Sequence, residues 1–262
     1  MKNILVLIPA FNAEKTIPSL IDQISAFVPR KDILVVDDGS SDKTYQFAKE
    51  SGANCLQHKK NKGKGEALKT GFEYAVKEKY SGVITLDADL QHDPKFIPEF
   101  IKCARRAGCP TYESFSFPSL DGRGKGRVTP LPNPLPQRGE GTPVGVPADI
   151  LIGTRHIELK TMPFPRWLTN NVTSIIVSIL GRTRVRDSQS GYRYISTEVL
   201  KAVRLSTKKY ELESEILIKA GRKGFKIAPV PISTIYHGSK SFINPLVDTG
   251  RFIKLMWKSL FW

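Results

Sequence analysis

Apolar residues cluster in short unbroken runs through the first hundred positions: "NILVLIP", "DILVVDD", "ANCLQH" and "GVITLDAD". Between them, apolar positions recur at helical spacing, which predicts helices from about Glu14 to Val28, Asp42 to Ser51, Lys64 to Lys79 and Pro94 to Arg106. Strands that are apolar throughout, alternating with helices, indicate an α/β fold: a mostly parallel central sheet with helices on both faces. Asp93 before Pro94 has the form of a helix cap. Ligands of such sheets collect where the strands end at their carboxyl side. The tips to inspect are Pro9 to Asn12, Asp37 to Ser40 and Asp87 to Gln91.

Residues 109–147 interrupt the alternation. They are dense in Pro and Gly, contain the near-duplicate "PLPNPLPQ", and show neither period. A structureless stretch of this length is rare inside a compact domain, so it is read as a disordered insertion between a helix, "FIKCARRAG", and a strand, "ADILIGTR". Residues 1–108 and 148–235 then form a single catalytic domain. Beyond the insertion come a helical Arg-rich stretch, "RDSQSGYRYIS", a helix from Glu211 to Lys223 and an extended "FKIAPVPISTIYHG". Residues 236–262 follow as the end of a hairpin and an amphipathic helix. That helix sets Arg251, Lys254 and Lys258 against Phe252, Ile253, Met256 and Trp257, as in helices that lie in a membrane interface or that pack on their own domain or a dimer partner.

Charge and cysteine usage narrow the setting. The net charge of +15 is uneven: 17 Lys and Arg face 14 Asp and Glu in residues 1–108, whereas 19 face 8 in residues 148–262. A basic C-terminal part suits phosphates or an anionic membrane surface. Nucleic acid is disfavoured as a partner, since no groove-binding motif occurs and paired acidic tips repel phosphate. Cys55, Cys103 and Cys109 have no disulfide or zinc spacing, which fits a reducing cytoplasm. The opening "MKNILVLIPAFN" reads as a first strand rather than a signal peptide. No apolar run is long enough for a spanning helix.

Two carboxylates one residue apart at a strand end, Asp87 and Asp89, repel each other unless a cation sits between them. Mg²⁺ or Mn²⁺, held by one or two carboxylates together with substrate phosphates, resolves the repulsion, and Gln91 can add an amide oxygen. Alone, an Asp-x-Asp is as often a turn or a cap. Asp37 and Asp38 can accept hydrogen bonds from a base or a ribose, or serve a turn with Ser40, Ser41 and Asp42. Lys64 opens a helix between glycines and is a candidate phosphate neighbour. Neither a Walker loop nor a GxGxxG after the first strand is present. His92, His156 and His237 are read as hydrogen-bonded neighbours, and Gly153 and Gly191 as backbone requirements.

The ordered set "IPAFNAEKTI", "VVDDGSSDKT", "NKGKGEAL", "LDADLQHDP", "ILIGTRH", "DSQSGYRYIS", "YELESEIL" and "VPISTIYHGSKSFINP" resembles glycosyltransferase family 2, most closely its dolichyl-phosphate or polyprenyl-phosphate sugar synthase branch. The resemblance implies a GT-A fold and transfer of a hexose, with inversion, from a nucleotide sugar such as GDP-mannose or UDP-glucose to a polyprenyl phosphate. The expected setting is cytoplasmic, peripheral on the inner face of the cell membrane. Asp87, Asp89 and Gln91 match the metal motif, and Pro9, Phe11, Asp37 and Asp38 the nucleoside positions, with Lys64 beside the nucleotide. Arg155 and Arg193 match arginines that face donor and acceptor phosphates, so with Asp89 they are the expected catalytic residues. Ser190 and Lys240 fall on the acceptor side. The chain departs from the family at Ala13, where Glu is common, and at Phe11, where Tyr is commoner.

An ionised acceptor phosphate needs no general base. A hydroxyl acceptor in a polysaccharide, glycolipid or glycan needs one, and Asp187, Glu211 or Glu213 are the candidates. A processive synthase is disfavoured because "PFPRW" does not supply a Q-x-x-R-W motif. An inactive relative, its site disturbed by the insertion, is the remaining alternative.

Overall fold

A computed structural model describes residues 3–105, 148–155, 164–233 and 245–259. The expected insertion at 109–147, and His156, His237 and Lys240, lie outside the described residues.

Seven strands form one sheet: β1 (Ile4–Ala10), β2 (Ile33–Asp37), β3 (Asn54–Gln57), β4 (Gly82–Thr85), β5 (Ile150–Arg155), β6 (Arg193–Ser196) and β7 (Ile227–Ile232). Their spatial order is β3-β2-β1-β4-β6-β5-β7. β1 pairs in parallel with β2 and β4, β2 with β3, and β5 with β7. β6 runs antiparallel between β4 and β5, with Thr85 opposite Arg193. The carboxyl ends of β1, β2, β4 and β5 therefore share one edge with the amino end of β6.

β1 shows why the sheet is covered twice. Ile4, Val6 and Ile8 pack on one face with α1 (Ile17–Ser25) and α4 (Ile97–Arg105), where Leu20, Ile24, Phe100 and Tyr192 are buried. Leu5 and Leu7 pack on the other, with α3 (Lys64–Lys77), α5 (Phe164–Gly181), α6 (Thr197–Ala202) and α7 (Glu211–Arg222). Leu7 sits over Gly71, where an added Cβ would lie 2.3 Å from its Cδ1. An alanine there would overpack the layer, at about 1–3 kcal/mol. The short α2 (Thr44–Glu50) lies beside α1 and β3, and α8 (Pro245–Ser259) beside α7.

The first four strands and their helices stand where the apolar pattern puts them, with shorter ends. α1 starts at Ile17 because residues 13–16 form a turn closed by Ile17 N–H to Ala13 O, just ahead of Pro18. Asp93 accepts from Lys95 N at 3.0 Å as expected of a cap, but the segment opens as a 3-10 turn over Pro94–Phe96. Within "RDSQSGYRYIS" the structure adds β6, and Ser196 then caps α6 through Val199 N. On α8, Leu255 is buried, whereas Ile253 and Trp257 are exposed beside the exposed Lys254 and Lys258.

Candidate active site

The β1 and β2 tips are stitched together by backbone groups that would otherwise lack partners. Asn12, in the left-handed region at φ 50°, donates its N–H to Ser40 Oγ (2.8 Å) and accepts from Ser41 N (3.0 Å). Ala13 N donates to Thr44 Oγ1 (2.7 Å), and Lys43 N to Glu14 Oε2 (3.1 Å). Glu14, one place after the position where the resemblance expects a glutamate, thus serves the loop after β2. Phe11 stands 40% exposed at the head of this loop, an aromatic face open to a flat ligand, and Pro9 is half-buried behind it.

Asp37 and Asp38 are both buried. Asp37 accepts from Ser40 N (3.1 Å), Ser40 Oγ and Gln57 Nε2 (2.9 Å). Asp38 accepts from Gly63 N (2.7 Å) and Lys62 N (3.0 Å), and pairs with His58 Nδ1 at 2.7 Å. Asp38 thereby draws residues 58–63 inward and fixes where α3 begins. At that start, Gly63 (φ 101°) and Gly65 leave room for the backbone of Lys208 and the side chain of Lys209. Glu215 holds this second loop from the far side, accepting from Ser206 N and Oγ, Thr207 N and Oγ1, and Lys219 Nζ.

This clamped helix start delivers Lys64 to the tip of β4. Its Nζ lies 2.6 Å from Asp87 Oδ1 and 2.8 Å from Glu213 Oε1, above the ring of Tyr210. Burial acts to lower the lysine pKa, but the two carboxylates outweigh it and push it above the ordinary range. Burial likewise acts to raise the Asp87 carboxyl, and Lys64 outweighs that, holding it below the usual carboxylate range. Gly191 supplies the space: a Cβ there would lie 2.6 Å from Asp87 Oδ2. Its need is room rather than an unusual φ, and Gly153, where a Cβ would meet Ile232 at 2.8 Å, is alike.

Asp89 is exposed and accepts from Gln91 N at 3.0 Å, so Asp87, Asp89 and Gln91 share one turn. His92 is buried behind it, accepting the Asp87 N–H at Nδ1 (3.3 Å) beside Tyr192, as a hydrogen-bonded neighbour. No group of three His, Cys, Asp or Glu side chains is placed to cage a metal among the described residues. Two carboxylates in one turn, one of them held ionised, fit a hard divalent cation that takes its remaining oxygens from a substrate diphosphate.

Arg193 was expected to face a phosphate. Its guanidinium is instead 2% exposed and donates from Nε to Ser190 O (2.7 Å), from Nη1 to Glu213 O (2.6 Å) and from Nη2 to Ser188 O (2.7 Å). It binds the 188–190 loop to the first turn of α7 and so places Glu213 beside Lys64. Ser190 is buried in the same loop. Arg155 ends β5 at the same edge of the sheet. Asp187 is fully buried and accepts from Gln189 N. Sequence reasoning counts Glu213 only as a possible base; its pairing with Lys64 is a contact between distant elements that no local pattern announces.

The mostly parallel sheet with one antiparallel strand inserted is a GT-A fold. Among solved structures, glucosyl-3-phosphoglycerate synthase of Mycobacterium tuberculosis, in complex with Mn²⁺, UDP and phosphoglyceric acid, superposes with a TM-score of 0.64 at 22% identity, over 99% of this chain and 77% of that one. The glycosyl transferase family 2 model matches residues 5–146. The UDP-N-acetylglucosamine–dolichyl-phosphate N-acetylglucosaminyltransferase of Methanococcus voltae is 31% identical over 90% of this chain and 86% of its own. The polyprenol monophosphomannose synthase of Mycolicibacterium smegmatis is 24% identical over 87% and 76%. The chain belongs to glycosyl transferase family 2 and is a glycosyltransferase whose relatives include polyprenyl-phosphate sugar transferases.

Proposed function

We propose that the protein moves a hexose, with inversion, from a nucleotide sugar to a polyprenyl phosphate. The observation that carries this reading is the β4 tip, where an ionised Asp87, locked by Lys64 and Gly191, adjoins the exposed Asp89. Phe11 offers its ring to the base, and the turn from Asp87 to Gln91 receives the diphosphate. Asp87, Asp89 and Gln91 would hold a divalent cation there, and it would supply positive charge to offset that of the leaving diphosphate. The acceptor phosphate oxygen forms a bond to the anomeric carbon as its bond to the diphosphate breaks, and the nucleoside diphosphate leaves with the electron pair.

A phosphate acceptor suits the carboxylates present. Of the three candidate bases, Asp187 is buried and Glu213 is committed to Lys64 and Arg193, so a hydroxyl acceptor would depend on Glu211, whose Oε2 has no partner among the described residues. Arg155, at the β5 edge, and Lys240 complete the acceptor side in this reading. Arg193 acts through Glu213 and the 188–190 loop, as a positioning residue.

No described helix is long and apolar enough to cross a membrane. The exposed face of α8, with Ile253 and Trp257 beside Lys254 and Lys258, suits a peripheral seat on an anionic inner membrane face, where a polyprenyl phosphate is reached from the cytoplasm. The test is incubation with radiolabelled GDP-mannose, UDP-glucose or UDP-N-acetylglucosamine, Mg²⁺ or Mn²⁺, and dolichyl or undecaprenyl phosphate. Label is expected in the lipid phosphate. Label reaching only soluble sugars or glycans would overturn the acceptor assignment.

A further inference from the structure

Four polar side chains stand out because nothing among the described residues answers them, and three belong to one end of the α5–α7 pair. Asn170, 2% exposed, has neither its amide nitrogen nor its amide oxygen bonded. Ser190, 1% exposed, has an unpartnered Oγ, and Glu211 an unpartnered, buried Oε2. The fourth, the Tyr192 hydroxyl, lies in the core on the opposite face of the sheet. Buried polar atoms are almost always hydrogen-bonded, and leaving several unmet at one place is destabilising unless a ligand meets them.

The packing of the two helices puts the three together. Asn170, Ser174, Ser178 and Gly181 recur at i, i+4, i+8 and i+11 and share one face of α5. Ser174 Oγ accepts from Ser188 N (3.0 Å), and Ser178 Oγ from Val185 N (2.9 Å), so that face looks onto the loop before β6. Gly181 meets the far end of α7, where a Cβ on Gly221 would lie 2.3 Å from its carbonyl oxygen. Arg193 bridges Ser188 to Glu213, which sets the first turn of α7 level with Ser174. The two helices therefore run side by side in one direction. Asn170 lies one turn before Ser174, and Glu211 opens α7 on the same side as Gly221, ten residues on, which meets Gly181; Ser190 follows two residues beyond Ser188. Glu213 in turn touches Lys64, and Lys64 touches Asp87, so this polar end adjoins the acidic turn.

The chemistry of the three groups selects among ligands. An amide donates and accepts, a hydroxyl does both, and a carboxylate only accepts. The cation beside them, Arg193, already serves three carbonyl oxygens. Among the described residues a phosphate would meet a carboxylate with no free cation beside it, whereas a neutral polyhydroxyl group would find a complement for its donors and its acceptors alike. We infer that Asn170, Ser190 and Glu211 form the subsite that reads the hydroxyls of the transferred sugar. Asn170 and Glu211 are thereby specificity-determining, and Ser190 faces the donor sugar rather than the acceptor. The inference rests on the proposed transfer reaction.

The test uses the full chain and two variants, Asn170→Leu and Ser190→Ala. Calorimetric titration with whichever of GDP-mannose, UDP-glucose and UDP-N-acetylglucosamine binds the wild type is compared with titration by the matching free nucleoside diphosphate. Each variant is expected to bind the nucleotide sugar about 10- to 100-fold more weakly and the free diphosphate unchanged. Asn170→Leu is also expected to melt no lower than the wild type, since it removes unmet buried polar atoms. Equal loss for both ligands, no loss for either, or a lowered melting temperature would show Asn170 to be part of the scaffold and overturn the inference alone. A wild type that binds none of the nucleotide sugars would overturn the transfer reading, and this assignment with it.

Discussion

At the tip of β2, every carboxylate oxygen of Asp37 and Asp38 is met by a donor from this chain. At the tip of β4, Asp87 is met by Lys64, and Asp89 stands in solvent. Both pairs end apolar strands at the same edge of the same sheet, and residue type does not distinguish them. The difference lies in the path the chain takes beyond each strand. After β2, a glycine at φ 73° lets the chain turn back so that Ser40 reaches Asp37, and residues 58–63 arrive from β3 to close on Asp38. After β4, the chain makes one short turn and leaves into a 3-10 segment, bringing few donors of its own. A carboxylate that the fold satisfies becomes scaffold. One left partly unsatisfied is available to a cation or a substrate.

The comparison is broken most sharply by removing the scaffold acid. Asp38→Ala strips the partner from His58 and from the N–H groups of Lys62 and Gly63, all gathered on one buried carboxylate. A loss of about 3–5 kcal/mol is expected in urea denaturation, of the size seen when one partner of a buried charged network is deleted. A loss under about 1 kcal/mol would place Asp38 with the open acids.

Glu215 extends the scaffold class and adds a pH signature. Burial pushes its carboxyl up, but Lys219, Ser206 and Thr207 outweigh that and bring it down to about 2 from 4.5. A folded value below the unfolded one means the stabilisation is fully present above pH 4.5 and fades as pH falls from there towards 2. Glu215→Gln should therefore cost on the order of 3 kcal/mol at pH 7, and the gap to the wild type should narrow steadily below pH 4.5. A gap independent of pH over that range would assign the loss to packing rather than to the carboxylate.

Much of this arrangement is legible in the order of the amino acids alone, and the limits of that legibility have physical causes. β1, β2 and β4 are apolar throughout because both faces of a parallel sheet are covered, so their ends, and the acids on those ends, can be read directly. β6 cannot: it has four residues, and its place between β4 and β5 is set by pairings with strands far away in the chain. Arg193 reads as a phosphate ligand because an arginine's type says nothing of whether its donors are already spent on Ser188, Ser190 and Glu213. Asp38, likewise, shows its bonds to His58, Lys62 and Gly63 only in the fold. Gly191 is marked in the sequence for its backbone, yet it matters for the room it leaves to Asp87, which only the neighbouring strand reveals. Asn170 gives no signal at all, since an unmet hydrogen bond is a property of surroundings and not of sequence.

The smallest effect on the fold is expected from the most open acid, and it sharpens the contrast furthest. Asp89 is exposed, and its one protein contact shown is the N–H of Gln91 within the same turn. Asp89→Ala should move the melting temperature by no more than about 1–2 °C, the range of a surface substitution in a chain of this size. Sugar transfer should nevertheless fall about 100-fold or more, as when one group that stabilises developing charge is removed from an active site. Metal-dependent stabilisation by the nucleotide sugar, read as a thermal shift with Mn²⁺, should vanish in the same variant. If the shift survives, the cation is held elsewhere, and Asp89 is an acid that shapes its turn.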